Sequence, residues 1–342
     1  MFKKEIILAM SLVATSMSAQ SAADYITVAG GLVPIPLMIK AGEQLASKNS
    51  QFKPPHILYN DTTVGFQLFC AGDGLETPSI NTGTRQIKPA EFESCRKNGV
   101  NEIVQFELGR DAFVAAQVQS GQLKHLSRKE LFLAIAKEVP DRKDNAKLIP
   151  NPYKTWKDID PALPDLKINV LGPEQNTGLY QTFLKGILLP GCKQAGLFKD
   201  MESNQKEFEA ACKNTRKDGA FTEYRGHDNA IQGFKNNPDS LGIVSLTAAV
   251  KEGLKKVQLD NMDPTFTSIS RDMYELTYPL LVTVKKSHIN RIPGLKEYLA
   301  ELTSEDAIGT TGYFYKMGVI PLPLVERQQV RADVQALKVI FN

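Results

Sequence analysis

Small, hydroxyl and amide residues recur in this chain where a β-rich stretch gives way to a helical one. They stand at Gly30-Gly31, at Thr62-Thr63, in the turn of "PSINTGTRQ", and at Asn176-Thr177-Gly178 within "GPEQNTGLYQTFL". The chemistry such junctions offer is capture of an anion without covalent change. A helix start leaves its first N–H groups unpaired and carries the positive end of the helix dipole. An oxyanion placed there is held by backbone donors, with hydroxyls to assist. Ser, Thr and Asn are also ordinary N-caps, so a single junction describes only a capped helix. Several in one chain point to a shared cleft.

Residues for covalent or metal chemistry do not assemble. The sequence holds no GxSxG, no HExxH and no Cys–His pair with a plausible base. The four histidines, His56, His125, His227 and His288, stand alone, and no CxxC accompanies them, which argues against a metal site. Charged pairs such as Glu223 and Asp228 read as surface. The expectation is a binding protein, not an enzyme, with neither metal nor cofactor.

Those junctions have to be positioned, and the chain ends and composition say by what. The N-terminus runs from Met1-Phe2-Lys3-Lys4-Glu5 through the apolar "IILAMSLVATSMSA" to Ser21-Ala22-Ala23 before Asp24. A basic start, a short apolar centre and small residues at the cut describe a secretory signal peptide over residues 1–23. No Cys lies near the cut, so no lipid anchor is expected. The mature chain, about 319 residues by subtraction, exceeds one ordinary core and suggests two lobes. Removing Lys3, Lys4 and Glu5 takes the formal charge from +3 to +2, a balance that argues against nucleic acid or an anionic membrane as partner. All four cysteines fall in the mature part, where an even count favours disulfides with three possible connectivities. Pairing by nearness gives Cys70–Cys95 and Cys192–Cys212, closing loops of 25 and 20 residues; chain entropy makes each worth roughly 3 kcal/mol.

The elements alternate. "DYITVAGGLVPIPLMIKAGEQLA" is a strand, a Gly-Gly turn and an amphipathic helix with Pro34 near its start; "PHILYNDTTVGFQLFCAG" repeats the plan, with strand His56–Asn60 and a helix from about Gly65. "PSINTGTRQIKPAEFESCRKNG" repeats it again and stops at Asn98-Gly99. "VNEIVQFELGRDAFVAAQV" gives two β-rich segments around Gly109-Arg110, "DSLGIVSLTAAV" a buried strand and a helix, and "YPLLVTVKK" a long strand. A helical tail ends at Gly318, Pro321 and Pro323. Strands alternating with helices predict an α/β fold with mostly parallel sheets, whose ligands bind beyond the carboxyl ends of the strands.

Four longer stretches, "FCAGDGLETPSINTGTRQIKPAEFESCRKNGVNEIV", "NPYKTWKDIDPALPDLKINVLGP", "NPDSLGIVSL" and "PGLKEYLAELTSEDAIGTTGYFYKMGVIPLP", resemble the phosphate-binding proteins (PstS-type) of bacterial phosphate ABC transporters. The resemblance runs from about Asp24 to Arg327 and is closest to a branch carrying the two local Cys pairs. It implies a two-lobe periplasmic-binding-protein fold with residues 24–108 plus 283–342 in lobe I and 109–282 in lobe II, joined by hinge strands. It also implies a periplasmic monomer that binds phosphate in the interlobe cleft and delivers it to a membrane permease.

Carried over position by position, the resemblance names a ligand set. The first loop gives Gly30, Gly31 and Leu32, with Leu32 where the family has a hydroxyl residue. The second gives Thr62 and Thr63, with Thr63 and Val64 where glycines are usual. The third gives Thr84 and Arg85 in place of Ser-Asp, and the fourth gives Asn176, Thr177, Gly178 and Leu179, with Leu179 for Thr and Pro173 for Arg. Backbone N–H groups at Thr177, Gly178 and Leu179 would do the holding there. Arg85 has five donors and no acceptor, and as a bidentate anion ligand it would replace the cation missing at Pro173, at a cost in phosphate-over-sulfate selectivity. Asp61 or Glu174 would supply the acceptor instead. Arg110 and Tyr180 are lesser candidates. The lost hydroxyls leave other readings open: an organic phosphate, a phosphonate or sulfate as ligand, or a scaffold that has lost its ligand.

Overall fold

The computed structural model describes residues 25–143, 147–175, 177–196, 203–271 and 273–340; the expected signal peptide and Asn176 lie outside them. Twelve strands are present among these residues: β1 (Thr27–Gly30), β2 (His56–Tyr59), β3 (Ile80–Gly83), β4 (Ile103–Gln117), β5 (His125–Leu126), β6 (Glu138–Pro140), β7 (Leu148–Pro150), β8 (Val170–Pro173), β9 (Phe221–Tyr224), β10 (Leu241–Ser245), β11 (Lys255–Leu259) and β12 (Thr277–Lys285). Ten of them form one curled sheet along the path β2-β1-β3-β12-β4-β10-β8-β9, with β11 beside β4 and β5 beside β11; β6 and β7 pair separately.

The sheet has two wings with a shared spine. β1, β2 and β3 are mutually parallel, as are β8, β9 and β10. Between them β4 and β12 run antiparallel, from Thr277 opposite Ala112 to Lys285 opposite Ile103. The C-terminal half of β12 pairs with β3 and the C-terminal half of β4 with β10, so each long strand serves both wings. This is the expected two-lobe α/β architecture. One expectation changes: the two segments around Gly109-Arg110 are a single strand with a bulge. The register slips between Leu280 and Leu281, opposite Gly109 and Glu107, which leaves Leu108 as the extra residue. Gly109 takes φ +150°, and a Cβ there would stand 2.8 Å from the Ile320 carbonyl oxygen. That closeness exists because Arg110 and Ile320 exchange both backbone hydrogen bonds at 2.8 Å, pinning the C-terminal segment to the spine.

Local signals set the helices. Helix Ile35–Lys48 carries Pro34 at its N-cap and buries Ile35, Met38, Ala41 and Leu45 on one stripe. Helix Thr62–Phe69 starts three residues earlier than expected because Asp61 caps it. The helix after Thr177 is continuous from Gly178 to Gln194, but Leu184–Leu188 is a π turn. Pro190 follows, and in a regular helix its ring would clash with the carbonyl four residues back; the wider turn relieves this. Helix Leu324–Gln335 was not foreseen in the pattern. It buries only Arg327 and Val334 while Leu324 and Val325 are exposed, so it has no apolar stripe to detect. Both disulfides form as the nearness rule expects, Cys70–Cys95 and Cys192–Cys212, the first within a small cluster of Phe66, Phe69, Val100 and Ile103 beside the main core.

Candidate functional site

Six parallel strands end in one place. β1, β2 and β3 of the first wing lead to Gly31, Asp61 and Thr84, and β8, β9 and β10 of the second lead to Thr177, Arg225 and Thr247; all six residues line one cleft of about 1000 Å³. The arrangement is what a parallel sheet dictates, since helix starts follow the carboxyl ends of its strands.

The structure separates the residues expected at the ligand. Gly31, Leu32, Thr62, Thr84, Thr177 and Leu179 line the cleft; Gly30, Thr63 and Arg85 do not. Gly30 is structural: its N–H donates to Asn60 at 2.8 Å, and a Cβ would collide with the Thr82 carbonyl. Gly31 gives its N–H to the Thr82 carbonyl, and a Cβ there would meet the Thr62 hydroxyl at 2.9 Å. Thr177 caps its helix, accepting from the Tyr180 N–H at 3.2 Å and donating its only hydroxyl proton to the Glu174 carbonyl at 2.7 Å. The junction at Thr177 is thus a capped helix first, and its remaining donors are the Gly178 and Leu179 N–H groups, which have no acceptor among the described residues. Thr62 and Thr84 also keep hydroxyls with no hydrogen bond to the described residues.

Arg85 is held outside the cleft lining. Its guanidinium grips Glu91 through both nitrogens at 2.6 and 2.8 Å, donates to Thr63 Oγ1 at 3.1 Å and lies over the Phe66 ring. The same contacts turn Thr63 away from the cleft, and Glu91 cancels the charge an anion would seek. Arg110 is also spent on structure, through the Ile320 backbone bonds and Glu107 at 3.5 Å. Tyr180 packs on Phe183 inside the second wing, where burial pushes its phenol up to about 12.

A cation that stands between the two wings is Arg225, which the sequence reading missed; Lys40, Lys251 and Lys316 also line the cleft. Its side chain is 54% exposed and stands 3.8 Å from Asp61 of the first wing and 3.9 Å from Glu174 of the second. Both separations exceed hydrogen-bond length, so none of its five donors is taken by a described residue. Asp61 gives one oxygen to the Thr63 and Val64 N–H groups at 2.7 and 3.0 Å. This helix start is therefore filled by its own carboxylate, and the other Asp61 oxygen faces Arg225. Leu32 reaches across the gap: a Cβ on Gly226 would lie 2.9 Å from its Cδ1. Signal for the missed residues existed in "FTEYRGHDNAIQGF", a further strand–Gly–helix junction, and in "GIVSLTAAV".

Thr247 sits over a buried charge. Its hydroxyl donates at 2.7 Å to Asp111, a fully buried residue of β4 that also receives the Ala112 N–H at 2.7 Å. Burial raises the Asp111 carboxyl to about 6, against these hydrogen bonds. Tyr224, also on the cleft wall, is fixed by its hydroxyl to the Ile243 carbonyl at 2.6 Å. No group of His, Cys, Asp and Glu among the described residues could hold a metal ion.

Residues 16–306 match the model of the PBP superfamily domain. The chain belongs to the PBP superfamily. Among curated relatives of this PBP, protein SphX of Synechococcus elongatus is 24% identical over 54% of the chain and 51% of its own length. The phosphate-binding protein PstS of Staphylococcus haemolyticus is 24% identical over 72% of the chain and 66% of its own. The PBP thus spans between half and two thirds of these relatives. Its fold matches the crystal structure of a phosphate-binding protein from Stenotrophomonas maltophilia with a TM-score of 0.60 at 12% identity, covering 90% of this chain and 93% of that one.

Proposed function

We propose that this PBP is an extracytoplasmic receptor that captures phosphate in the cleft and delivers it to an ABC-type importer, without chemistry on the ligand. Lobes of 24–108 plus 283–342 and of 109–282 would close on the anion, and residues 1–23 would direct export to the periplasm. The observation that carries the reading is the meeting of six strand ends around Arg225, with the Thr62 and Thr84 hydroxyls and the Gly178 and Leu179 N–H groups as further donors. The curated PstS relative, named for phosphate, supports it.

Asp61 gives the site a means of selection. Its carboxylate accepts, and phosphate at neutral pH still has a proton to donate, whereas sulfate has none and would set charge against charge. In a thermal-shift titration of ligand-stripped protein, phosphate should raise the melting temperature, by a stability gain of about 2.7 kcal/mol at a hundredfold excess over Kd. Sulfate should raise it far less. Arg225→Ala should abolish most of the phosphate response, and Arg85→Ala should lower stability while leaving the response in place. A full response in the Arg225 variant would overturn this placement of the anion.

A further inference from the structure

The cleft is large for a bare anion, and it carries donors on Lys40, Arg225, Asn229, Lys251 and Lys316 as well as at its strand ends. About 1000 Å³ lies at the upper end of pockets that take drug-sized organic ligands, and much of the wall is hydrocarbon: Leu32, Tyr59, Pro173, Leu179, Val250 and Met317. Two of these side chains are openly solvated, Tyr59 at 67% and Val250 at 46%. Exposed apolar surface gathered in a cleft marks a ligand surface more often than chance.

The donor inventory leads to the same place. A bare phosphate sealed in a cleft presents four oxygens, and each oxygen left facing hydrocarbon forfeits its hydration. Thr62, Thr84, Arg225 and the Gly178 and Leu179 N–H groups can serve some of them at the strand ends; of the other lining donors, Lys40 pairs with Glu43 at 3.1 Å, Lys251 stands 3.9 Å from Glu252, and Lys316 and Asn229 complete the set. Thr177 and Thr247 cannot, because their hydroxyl protons go to the Glu174 carbonyl and to Asp111. Leu32 and Leu179 offer hydrocarbon at two of the six strand ends. A tetrahedral anion with one oxygen replaced by carbon, or masked as an ester, needs no donor on that side.

We infer that the ligand is a phosphoryl group bearing an apolar organic substituent, an alkyl- or arylphosphonate or the matching phosphate monoester. The anionic oxygens meet Arg225, Thr62 and Thr84, a residual proton goes to Asp61, and the substituent lies on the Leu32–Leu179 side of the cleft. This rests on the phosphate reading above and narrows it.

The test is calorimetric titration of the full-length mature protein, stripped of ligand, with inorganic phosphate, methyl-, propyl- and butylphosphonate, and butyl phosphate. Affinity should rise by about fourfold for each added methylene, the value of burying one in an apolar site, and butylphosphonate should bind more tightly than inorganic phosphate. The butyl phosphate arm tells a C–P from a C–O–P ligand. Leu32→Thr combined with Leu179→Thr, checked for an unchanged melting temperature, should reverse the order in favour of inorganic phosphate. Tight binding of inorganic phosphate with no gain along the alkyl series overturns the inference and leaves the phosphate reading intact. Binding of none of these ligands overturns both.

Discussion

At the scale of single residues, two arginines show what spacing conveys. Arg85 stands at a loop that the resemblance marks for ligand, yet Glu91, six residues on, takes its charge. "TRQIKPAEFE" held that signal, because a Glu two residues after Pro89 falls in the first turn of a helix, where its carboxylate reaches back toward the cap. Arg225 lies outside every carried-over motif and was legible only as one more strand–Gly–helix junction. Asp111 was not legible at all, since nothing in "GRDAF" says that both faces of its strand are covered. Its titration is nonetheless testable. The carboxyl titrates near 3.8 in an open chain and at about 6 in the fold, so the folded state binds the proton more tightly. Its favourable contribution is complete below about pH 4 and is lost as pH rises through 6, a swing of about 3 kcal/mol. Asp111→Asn should remove that dependence: melting curves of variant and wild type should diverge from about pH 4 to about pH 7, with the variant gaining relative stability. A constant difference across that window would mean that Asp111 keeps an ordinary carboxyl.

At the scale of elements, pattern served well where a helix or strand had one apolar face and capped ends. The helices at Ile35, Pro89 and Leu246, the strands of the first wing and β10 were readable because turn residues and Pro mark their limits. The spine was harder. "IVQFELGRDAFVAAQ" reads as two strands because Gly109 interrupts the pattern, and only pairing with β12 shows that the interruption is a bulge within one strand. Bulges bend and twist a ladder, and this one falls where β4 leaves one wing for the other. Gly109→Ala tests the requirement. At φ +150° with a carbonyl oxygen 2.8 Å from the new Cβ, the variant should lose on the order of 1–3 kcal/mol, read from the denaturant midpoint. An unchanged midpoint would show that the crossing has room to relax.

At the scale of the whole molecule, the two wings are joined by few strands and face each other across the cleft. β4 and β12 carry the connection, and the Arg110–Ile320 bridge fastens the C-terminal segment to the same place. At the mouth of the cleft the contacts described are Leu32 against Gly226 and the long Arg225–Asp61 approach, apart from the C-terminal segment, whose Gly318 lies against Thr247 and Val250 and whose Tyr315 ring meets Phe266 edge-on. Neither is strong: an exposed ion pair is worth at most about 1 kcal/mol, and a single leucine at the rim adds little. A ligand that binds both walls therefore has only weak contacts to rearrange, and its affinity can be spent on bringing the wings together. Solution scattering should show the radius of gyration falling when saturating phosphate or phosphonate is added to the stripped protein. Arg225→Ala should keep the larger radius at the same ligand concentration, because a cleft cation that approaches carboxylates of both wings is gone. If the wild-type radius does not change while calorimetry reports binding, the wings are already closed, and the Leu32–Gly226 contact marks a finished site instead of one that ligand completes.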